Sequence, residues 1–233
     1  MKGRLRSTVA LPRGYRERFS VVEDRVAVGT TSFVLAHPRD AEALISVEDF
    51  DRDERLPYWA DLWPSAFALG EHLLELIHPP DGRRAVELGC GIGLVACCAV
   101  RAGFELTVTD YYHEAVAFTA ANVRANTGTR VATRHLDWRT IPEDVGRFDL
   151  VLAADVLYER PYGPLMAQVV ARLLAPGGRA WIADPGRIGA SGFVENAESL
   201  GVRVTSRERQ VTVMDRAHEI TIFELTAPVP PAR

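Results

Sequence analysis

Cysteine and lysine are both scarce in this chain of 233 residues. The three cysteines are Cys90, Cys97 and Cys98, and two of them are adjacent. An odd number of closely spaced thiols does not make a disulfide framework, and it offers too few well-spaced ligands for zinc. We therefore expect buried free thiols in a reducing compartment, and no metal site. Lys2 is the only lysine, which we interpret as coding bias, with arginine supplying the remaining positive charge.

Long apolar runs are also missing from the sequence. No stretch of ~18 consecutive apolar residues is present, and no apolar run follows the basic start of the chain, so we expect neither a membrane span nor a secretory signal. The net charge of -4 argues against general binding to nucleic acid or to a membrane surface. With 47% hydrophobic and 25% charged residues, the chain can bury a sizeable core. The composition predicts a soluble, cytoplasmic protein.

The most informative stretch runs from Arg84 to Asp110. A strand-like apolar run leads into a glycine-rich turn, a helical run follows, and a second strand-like run ends on Asp110. The turn has glycine at alternate positions, namely Gly89, Gly91 and Gly93. A strand, glycine loop, helix, strand and acid in this order are typical of α/β sheets that hold the ribose of a nucleotide-like cofactor.

The residues around this turn distinguish between cofactors. A P-loop is excluded because no Gly-Lys-Ser/Thr follows. A dinucleotide loop needs glycine at the sixth position from Gly89, where this chain has Leu94. Glu87, two residues before the first glycine, suits an ammonium group, which S-adenosylmethionine carries. We therefore predict S-adenosylmethionine as the cofactor. An NAD(P)-dependent oxidoreductase stays as a less favoured alternative, because it would leave Glu87 without a role.

Acidic and polar residues also follow the next strand-like runs. Asp110 is placed to accept the two ribose hydroxyls, the pair Asp137 and Trp138 to contact the adenine, and Asp155 to lie near the reactive methyl group. The carboxyl ends of parallel strands meet at one edge of a sheet, so these side chains are expected to form a pocket. Any one of them alone could equally be a helix cap or a loop residue.

Alternating strands and helices predict the fold. We expect a Rossmann-like, doubly wound α/β fold with a mainly parallel seven-stranded sheet. The last two strands, near 203–209 and 219–226, have no helix between them and predict an antiparallel hairpin at one edge. Residues 19–36 predict a small N-terminal β element, with turns at Glu23-Asp24 and Gly29. The expected division is an N-terminal β extension at 1–54, the main domain at 55–226 and a flexible tail at 227–233.

An aromatic segment precedes the glycine unit. It contains Tyr58, Trp59 and Trp63, and it could either plug the edge of the sheet or form a wall of the cofactor pocket. Pro64 suits the first turn of a helix that we expect to run to about Ile77. The histidines of this region, including His72, are expected at the surface or at a helix end.

Several of these motifs together resemble those of the class I S-adenosylmethionine-dependent methyltransferases. They read VELGCGIGLVACCAVRAG, LTVTD, NVRAN, LDW, FDLVLAADVLYE and LLAPGG in chain order. Within that superfamily they are similar to the group of seven-β-strand protein lysine methyltransferases, also called nicotinamide N-methyltransferase-like. The resemblance covers about residues 55–185, and it departs at Cys90, where many relatives have Ala or Ser.

The resemblance implies a role for each matching position. Asp155 and Tyr158 match an Asp-x-x-Tyr motif at the mouth of the acceptor channel, and we expect them to be catalytic. Asp155 either orients or deprotonates an amine, or it only positions the cofactor. Asn122 and Asn126 match a helix motif of structural character. The residues expected to bind the cofactor are Trp63, Glu87, Gly89, Cys90, Gly91, Gly93, Asp110, Tyr111, Asp137, Trp138 and Ala154.

The methyl acceptor stays open at this point. A protein lysine fits the resemblance. A small-molecule amine is the alternative, because Tyr111, Tyr112, Tyr158 and Tyr162 could line a small closed pocket. A catalytically silent cofactor-binding module is the alternative from another class. Neither a nucleic acid nor a membrane is expected as partner, and nothing in the sequence indicates an oligomeric state.

Overall fold

The computed structural model describes residues 9–44, 57–76 and 82–229. Its strands form a seven-stranded sheet and a separate two-stranded sheet. The strands are β1 (Val21–Val28), β2 (Thr31–Pro38), β3 (Arg84–Leu88), β4 (Glu105–Asp110), β5 (Ala132–His135), β6 (Phe148–Ala154), β7 (Leu174–Asp184), β8 (Arg203–Val213) and β9 (Arg216–Thr226).

Helices connect most of these strands. The α-helices are α1 (Tyr15–Arg18), α2 (Pro64–Leu74), α3 (Leu94–Arg101), α4 (His113–Thr127), α5 (Tyr162–Leu173) and α6 (Ala190–Ser199). Short 3-10 helices lie at Glu42–Leu44, Tyr58–Ala60 and Glu143–Val145. Pro64 begins α2 as predicted, because its fixed φ and missing N–H suit the first turn of a helix.

The large sheet has the strand order β5-β4-β3-β6-β7-β9-β8. Strands β5, β4, β3, β6 and β7 run parallel, whereas β9 pairs antiparallel with both β7 and β8. The predicted α/β fold, with its mainly parallel seven-stranded sheet and antiparallel edge hairpin, is confirmed. The strand order reverses between β3 and β6, and sheets of this kind bind ligands in the crevice outside the carboxyl ends at that point.

Both faces of the sheet are covered. Along β6, successive side chains alternate between two apolar clusters: Leu150 and Leu152 belong to one, and Val151 and Ala153 to the other. All four are at most 3% exposed. Alternation in a strand sends neighbours to opposite faces, so a strand that is apolar throughout is one that helices cover on both sides.

The N-terminal β element is the hairpin of β1 and β2. Its buried residues, among them Phe33 and Leu35, share a core cluster with the main sheet. The turn at Gly29 occurs as expected, with φ of 54°. The turn expected at Glu23-Asp24 is wrong, since both residues pair with β2 inside the ladder. An edge strand with one side facing solvent accommodates such charged residues.

The other differences concern element ends and one histidine. Helix α2 ends at Leu74, and Ile77, where the sequence predicted its end, lies outside the described residues. Of the two positions expected for His72, the helix end is correct, since it lies in the last turn of α2, and the surface is not. Because α2 packs across β7, β8 and β9, His72 is buried with its ring centroid 4.6 Å from that of Trp181. Burial lowers the pKa of His72.

Only part of the expected domain boundaries lies within the described residues. Ala227, expected to begin a flexible tail, is buried, and its N–H donates to the carbonyl of Gly178 at 2.9 Å. Residues 230–233 and the expected boundary at 54/55 lie outside the described ranges. Among the described residues, no helix is long and apolar enough to cross a membrane.

Candidate functional site

A cavity opens at the carboxyl ends of β3, β4 and β6, between the sheet and the aromatic segment before α2. Both residues predicted to be catalytic, Asp155 and Tyr158, line it. The residues predicted to bind the cofactor that also line it are Trp63, Glu87, Gly89, Cys90, Gly91, Asp110, Tyr111, Asp137, Trp138 and Ala154. The fold therefore brings together almost the whole set that the sequence predicted.

Gly93 is the exception, because it lies behind the cavity lining. It has φ of 88° and caps the start of α3. A Cβ atom there would lie 2.9 Å from the Cα of Thr119 on α4, a distance that real Cβ atoms do not adopt. Gly93 is therefore required for the close approach of α3 to α4, while Gly89 and Gly91 face the cavity.

Two buried carboxylates lie at the base of the cavity. Glu87 and Asp110 are 2% and 5% exposed. Asp110 accepts hydrogen bonds from the N–H groups of Gly91 and Tyr112, each at 3.0 Å. Burial nevertheless raises the pKa of Asp110 to about 6. Burial, together with the nearby charge of Asp110, raises the pKa of Glu87 well above its ordinary value.

One oxygen of Glu87 is suited to accept a hydrogen bond from a ligand. Among the described residues, the buried Glu87 Oε2 has no hydrogen-bond partner. A buried carboxylate oxygen is costly unless a donor satisfies it. An ammonium group, such as the one on the amino-acid end of S-adenosylmethionine, would supply such a donor, so this residue fits the cofactor that the sequence predicts.

Trp138 forms an aromatic wall beside the glycine loop. A Cβ atom at Gly89 would lie 3.3 Å from Trp138 Cζ2, so the indole packs directly on the loop. Its buried Nε1 has no hydrogen-bond partner among the described residues. Asp137 is held in place by Arg139, whose Nε and Nη2 donate to its two oxygens at 3.0 and 2.7 Å. A flat apolar wall with a polar edge suits an adenine ring.

Both interpretations of the aromatic segment apply. Trp59 is buried against Phe19 and Phe118, with ring centroids 6.0 and 5.5 Å away. Trp59 and Trp63 both line the cavity, and the Nε1 of Trp63 donates to the carbonyl of Tyr58 at 2.9 Å. The segment is thus anchored in the core by Trp59 and forms a wall of the cavity.

Asp155 lies just beyond β6 in an unusual backbone conformation. Its φ is 57°, a left-handed value that is uncommon outside glycine. Its N–H donates to the carbonyl of Ala183 at 2.9 Å. The carboxylate is only 3% exposed; Oδ1 accepts from Arg187 Nε at 2.7 Å, and Oδ2 accepts from Ser65 Oγ at 3.4 Å. Asp155 is therefore a buried carboxylate that is paired with a cation.

Aromatic rings surround this ion pair. The ring centroids of Tyr158 and Tyr162 are 4.6 Å apart, and those of Tyr58 and Tyr158 are 5.4 Å apart. The Arg187 guanidinium carbon lies 5.4 Å from the centroid of the Trp63 ring. We call Tyr58, Trp63, Tyr158 and Tyr162 the aromatic mouth. Aromatic faces beside a carboxylate form a surface that attracts cations.

Sequence reasoning did not assign Arg187 to the site. An arginine in a Pro-Gly loop has no distinguishing pattern. Its position follows from the pairing of β6 with β7, which brings the loop after β7 beside the residue after β6. The adjacency of two strand ends is the one signal that could have found it.

The fold and the cavity define a class I methyltransferase. The described architecture is similar to that of N-methyltransferase NodS from Bradyrhizobium japonicum, solved in complex with S-adenosyl-L-homocysteine, with a TM-score of 0.58 and 18% identity over 78% of this chain and 97% of that one. Residues 52–195 match the family model described as lysine methyltransferase. The chain belongs to this family, and the membership implies S-adenosylmethionine as methyl donor.

Relatives among characterised proteins agree with the family. The chain is 30% identical to EEF1A lysine methyltransferase 3 of Mus musculus over 68% of this chain and 71% of that protein. It is 34% identical to protein N-lysine methyltransferase METTL21A of Xenopus tropicalis over 49% of this chain and 54% of that protein. The second alignment therefore spans only about half of each protein.

Proposed function

We propose that this methyltransferase transfers the methyl group of S-adenosylmethionine to the side chain of a lysine in a protein. The observation that carries the proposal is the buried Asp155 carboxylate, which is paired with a cation inside the aromatic mouth and borders the cavity of Glu87 and Asp110. A buried carboxylate beside aromatic faces is suited to bind an ammonium in place of the cation that it holds. The names of the relatives support lysine as that amine.

On the donor side, we assign each polar group a partner in the cofactor. Glu87 Oε2 accepts from the ammonium of the methionine end, and Asp110 accepts from the ribose hydroxyls. Trp138 packs on the adenine. Because Gly89 and Gly91 carry no side chains, the cofactor can approach their backbone closely. The cofactor supplies a methyl group on a sulfonium, which is already an activated donor. The protein therefore has to align two reactants and exclude water, which supplies about 7–11 kcal/mol in favourable cases.

On the acceptor side, we assign Asp155 a binding role. Its carboxylate is already occupied by Arg187 and Ser65, which favours holding an ammonium over abstracting a proton. The amine then gives its proton to water before it attacks the methyl group. We expect Tyr158 to pack on the acceptor's alkyl chain. Among the roles that the sequence left open for Asp155, this assignment selects orientation of the amine over its deprotonation and over positioning of the cofactor alone.

The exposure of the mouth favours a protein over a metabolite. Tyr58 is 41% exposed, the Arg187 side chain is 37% exposed and Ile188 beside it is 53% exposed. A mouth that opens onto the surface lets a long side chain enter while its carrier stays outside. We further propose a cytoplasmic location, supported by the three buried free thiols, and a catalytic unit at 55–226 with the N-terminal hairpin as an extension.

The test is to incubate the protein with a cell lysate and S-adenosylmethionine carrying a labelled methyl group. We expect label in a protein band, and mass spectrometry of that band should place it on a lysine. Asp155→Asn should lower the rate by on the order of 10²-fold, because an ammonium loses its counter-charge. Asp144→Asn is the matched control, since Asp144 also pairs with an arginine but is far more exposed. Label only in the small-molecule fraction would contradict the proposal.

A further inference from the structure

We infer that Arg187 is a specificity-determining residue: in the free protein it occupies the position of the acceptor's cation on Asp155, and only another cation displaces it. The inference rests on the proposed function, because it takes the acceptor to be an amine. It goes further by naming the residue that decides which acceptors enter.

The geometry places Arg187 between the carboxylate and the solvent. The Asp155 side chain is 3% exposed, whereas that of Arg187 is 37% exposed. On the inner side Asp155 meets Ser65, which is fully buried. An acceptor that approaches from solvent therefore meets the guanidinium before the carboxylate.

The backbone around Arg187 is fixed, so the displacement is a movement of the side chain. Asp184 Oδ1 accepts from the N–H groups of both Gly186 and Arg187, at 2.8 and 2.7 Å. The N–H of Gly189 donates to the carbonyl of Leu157 at 3.1 Å. A Cβ atom at Gly189 would lie only 2.5 Å from that carbonyl oxygen, so this part of the loop is closely packed.

The guanidinium already contacts a second surface while it is paired with Asp155. Its carbon lies 5.4 Å from the centroid of Trp63, and Tyr58 lies in the same mouth. Arginine stacks on aromatic faces and is weakly hydrated for a cation. A small rotation of the Arg187 side chain would move its Nε away from Asp155 while the guanidinium keeps its contact with the Trp63 ring, and the loop would not have to move.

The replacement of the Arg187 guanidinium by the acceptor selects acceptors by their charge. Among the described residues, Arg187 is the cation that pairs with Asp155, and a buried carboxylate that loses such a partner is strongly destabilised. A lysine ammonium that replaces the guanidinium keeps the pair intact, whereas a hydroxyl or a thiol does not. Neutral acceptors are therefore excluded although the cavity has room for them.

The experiment uses n-butylammonium as a mimic of the lysine side chain, with n-butanol as its neutral counterpart. Nitrogen-15 spectra of the full-length protein report the Nε–H of Arg187. We expect n-butylammonium to shift this signal to the position of an unpaired arginine, and n-butanol to leave it unchanged. The titration is run with and without S-adenosylhomocysteine, whose own binding is measured by calorimetry.

Variants at Arg187 and Asp155 distinguish displacement of the Arg187 guanidinium from other roles of this side chain. Arg187→Ala should bind n-butylammonium on the order of tenfold more tightly, because the competing cation is gone. Asp155→Asn should abolish that binding. Arg134→Ala is the matched control, since Arg134 pairs with the exposed Asp144, and it should behave like the unmodified protein.

Each outcome decides the inference. An Arg187 signal that does not move at any n-butylammonium concentration overturns it, and so does weaker binding by Arg187→Ala, which would mean that Arg187 helps to hold the acceptor. If Arg187→Ala does not fold, the spectra of the unmodified protein still decide. Failure to bind S-adenosylhomocysteine would refute the proposed function instead, and the titration of the free protein would still test the exchange.

Discussion

The side-chain amide of Asn122 pairs with both backbone groups of Ala36. Its Oδ1 accepts the Ala36 N–H at 2.8 Å, and its Nδ2 donates to the Ala36 carbonyl at 2.9 Å. One turn later, Asn126 pairs in the same way with Val34, at 2.8 Å for both bonds. Four helical residues rise ~6 Å and two strand residues ~6.7 Å, so α4 presents its amides at the spacing of β2.

This pairing predicts that alanine substitutions at the two asparagines lower the stability by different amounts. Asn122→Ala leaves buried backbone groups of Ala36 and Ile92 without partners, and should lower the free energy of unfolding by about 2–4 kcal/mol. Asn126→Ala is the control: its site is half-buried, water can replace the amide, and about 1 kcal/mol is expected. Urea unfolding measures both. Equal losses would show that burial does not decide the effect.

A second pair of variants tests the role of Gly93. Both Gly93 and Gly128 have positive φ, 88° and 75°, but a Cβ atom at Gly128 would meet nothing within 4 Å. Gly128→Ala should therefore cost only the backbone strain, about 1 kcal/mol. Gly93→Ala adds the contact with the Thr119 Cα and should cost about 1–3 kcal/mol more. Thermal unfolding of both variants measures the difference, and equal costs would contradict the packing role.

The buried Asp110 predicts the pH dependence of stability. Its folded pKa of about 6 lies above the ordinary 3.8, so the folded state binds this proton more tightly than the unfolded chain does. Its contribution is favourable at low pH and is lost as pH rises from about 4 to 6, by on the order of 3 kcal/mol. Glu87 acts in the same direction.

We therefore expect the free protein to be more stable in urea at pH 5.5 than at pH 7. Glu75 and Asp144 act in the opposite sense, because their arginine partners lower their pKa values and this stabilisation is lost as the pH falls below about 4.5; both carboxylates are exposed, so their contribution is small. Asp110→Asn should flatten the slope between pH 5 and 7, in the window set by the raised pKa of Asp110. An unchanged slope in that variant would assign the effect to other groups.

Stability falls as the pH rises through this range, whereas the affinity for the cofactor should rise. Protonation of Asp110 removes an acceptor for the ribose hydroxyls, so S-adenosylmethionine should bind more weakly below pH 6, the value near which Asp110 titrates. Binding near that pH should release protons, which calorimetry in two buffers of different ionisation enthalpy detects. Asp110→Asn should weaken binding by on the order of 10-fold to 100-fold and remove the part of the pH dependence that Asp110 contributes near pH 6, while the part due to Glu87 stays.

A carboxylate outside the cavity serves as control for that experiment. Asp149, at the amino end of β6, accepts the N–H of Arg84 at 3.0 Å and is exposed. Asp149→Asn should leave both the affinity and its pH dependence unchanged. A comparable loss in that variant would mean that the pH effect comes from global stability and not from the ribose position.

The parts of the site that follow from local sequence were predictable, and those that depend on strand adjacency were not. The positions of Glu87, Asp110 and Trp138 follow from the rule that parallel strands end at one edge. Arg187 meets Asp155 across 32 positions of the chain, through a contact that no local pattern encodes. His72 lies at a helix end as expected, but its burial against Trp181 was not predictable, because it depends on how α2 crosses the sheet.

The two sides of the cavity come from different parts of the chain. Most residues expected to bind the cofactor, from Glu87 to Trp138, belong to one continuous stretch, whereas the aromatic mouth and Arg187 come from three segments outside it. Trp63 belongs to both groups. Substitutions elsewhere in those segments can therefore redirect the enzyme to another target while the main stretch that binds the methyl donor stays the same. Such a division allows a gene family to diversify its targets after duplication, with each copy retaining the chemistry while its recognition loops drift.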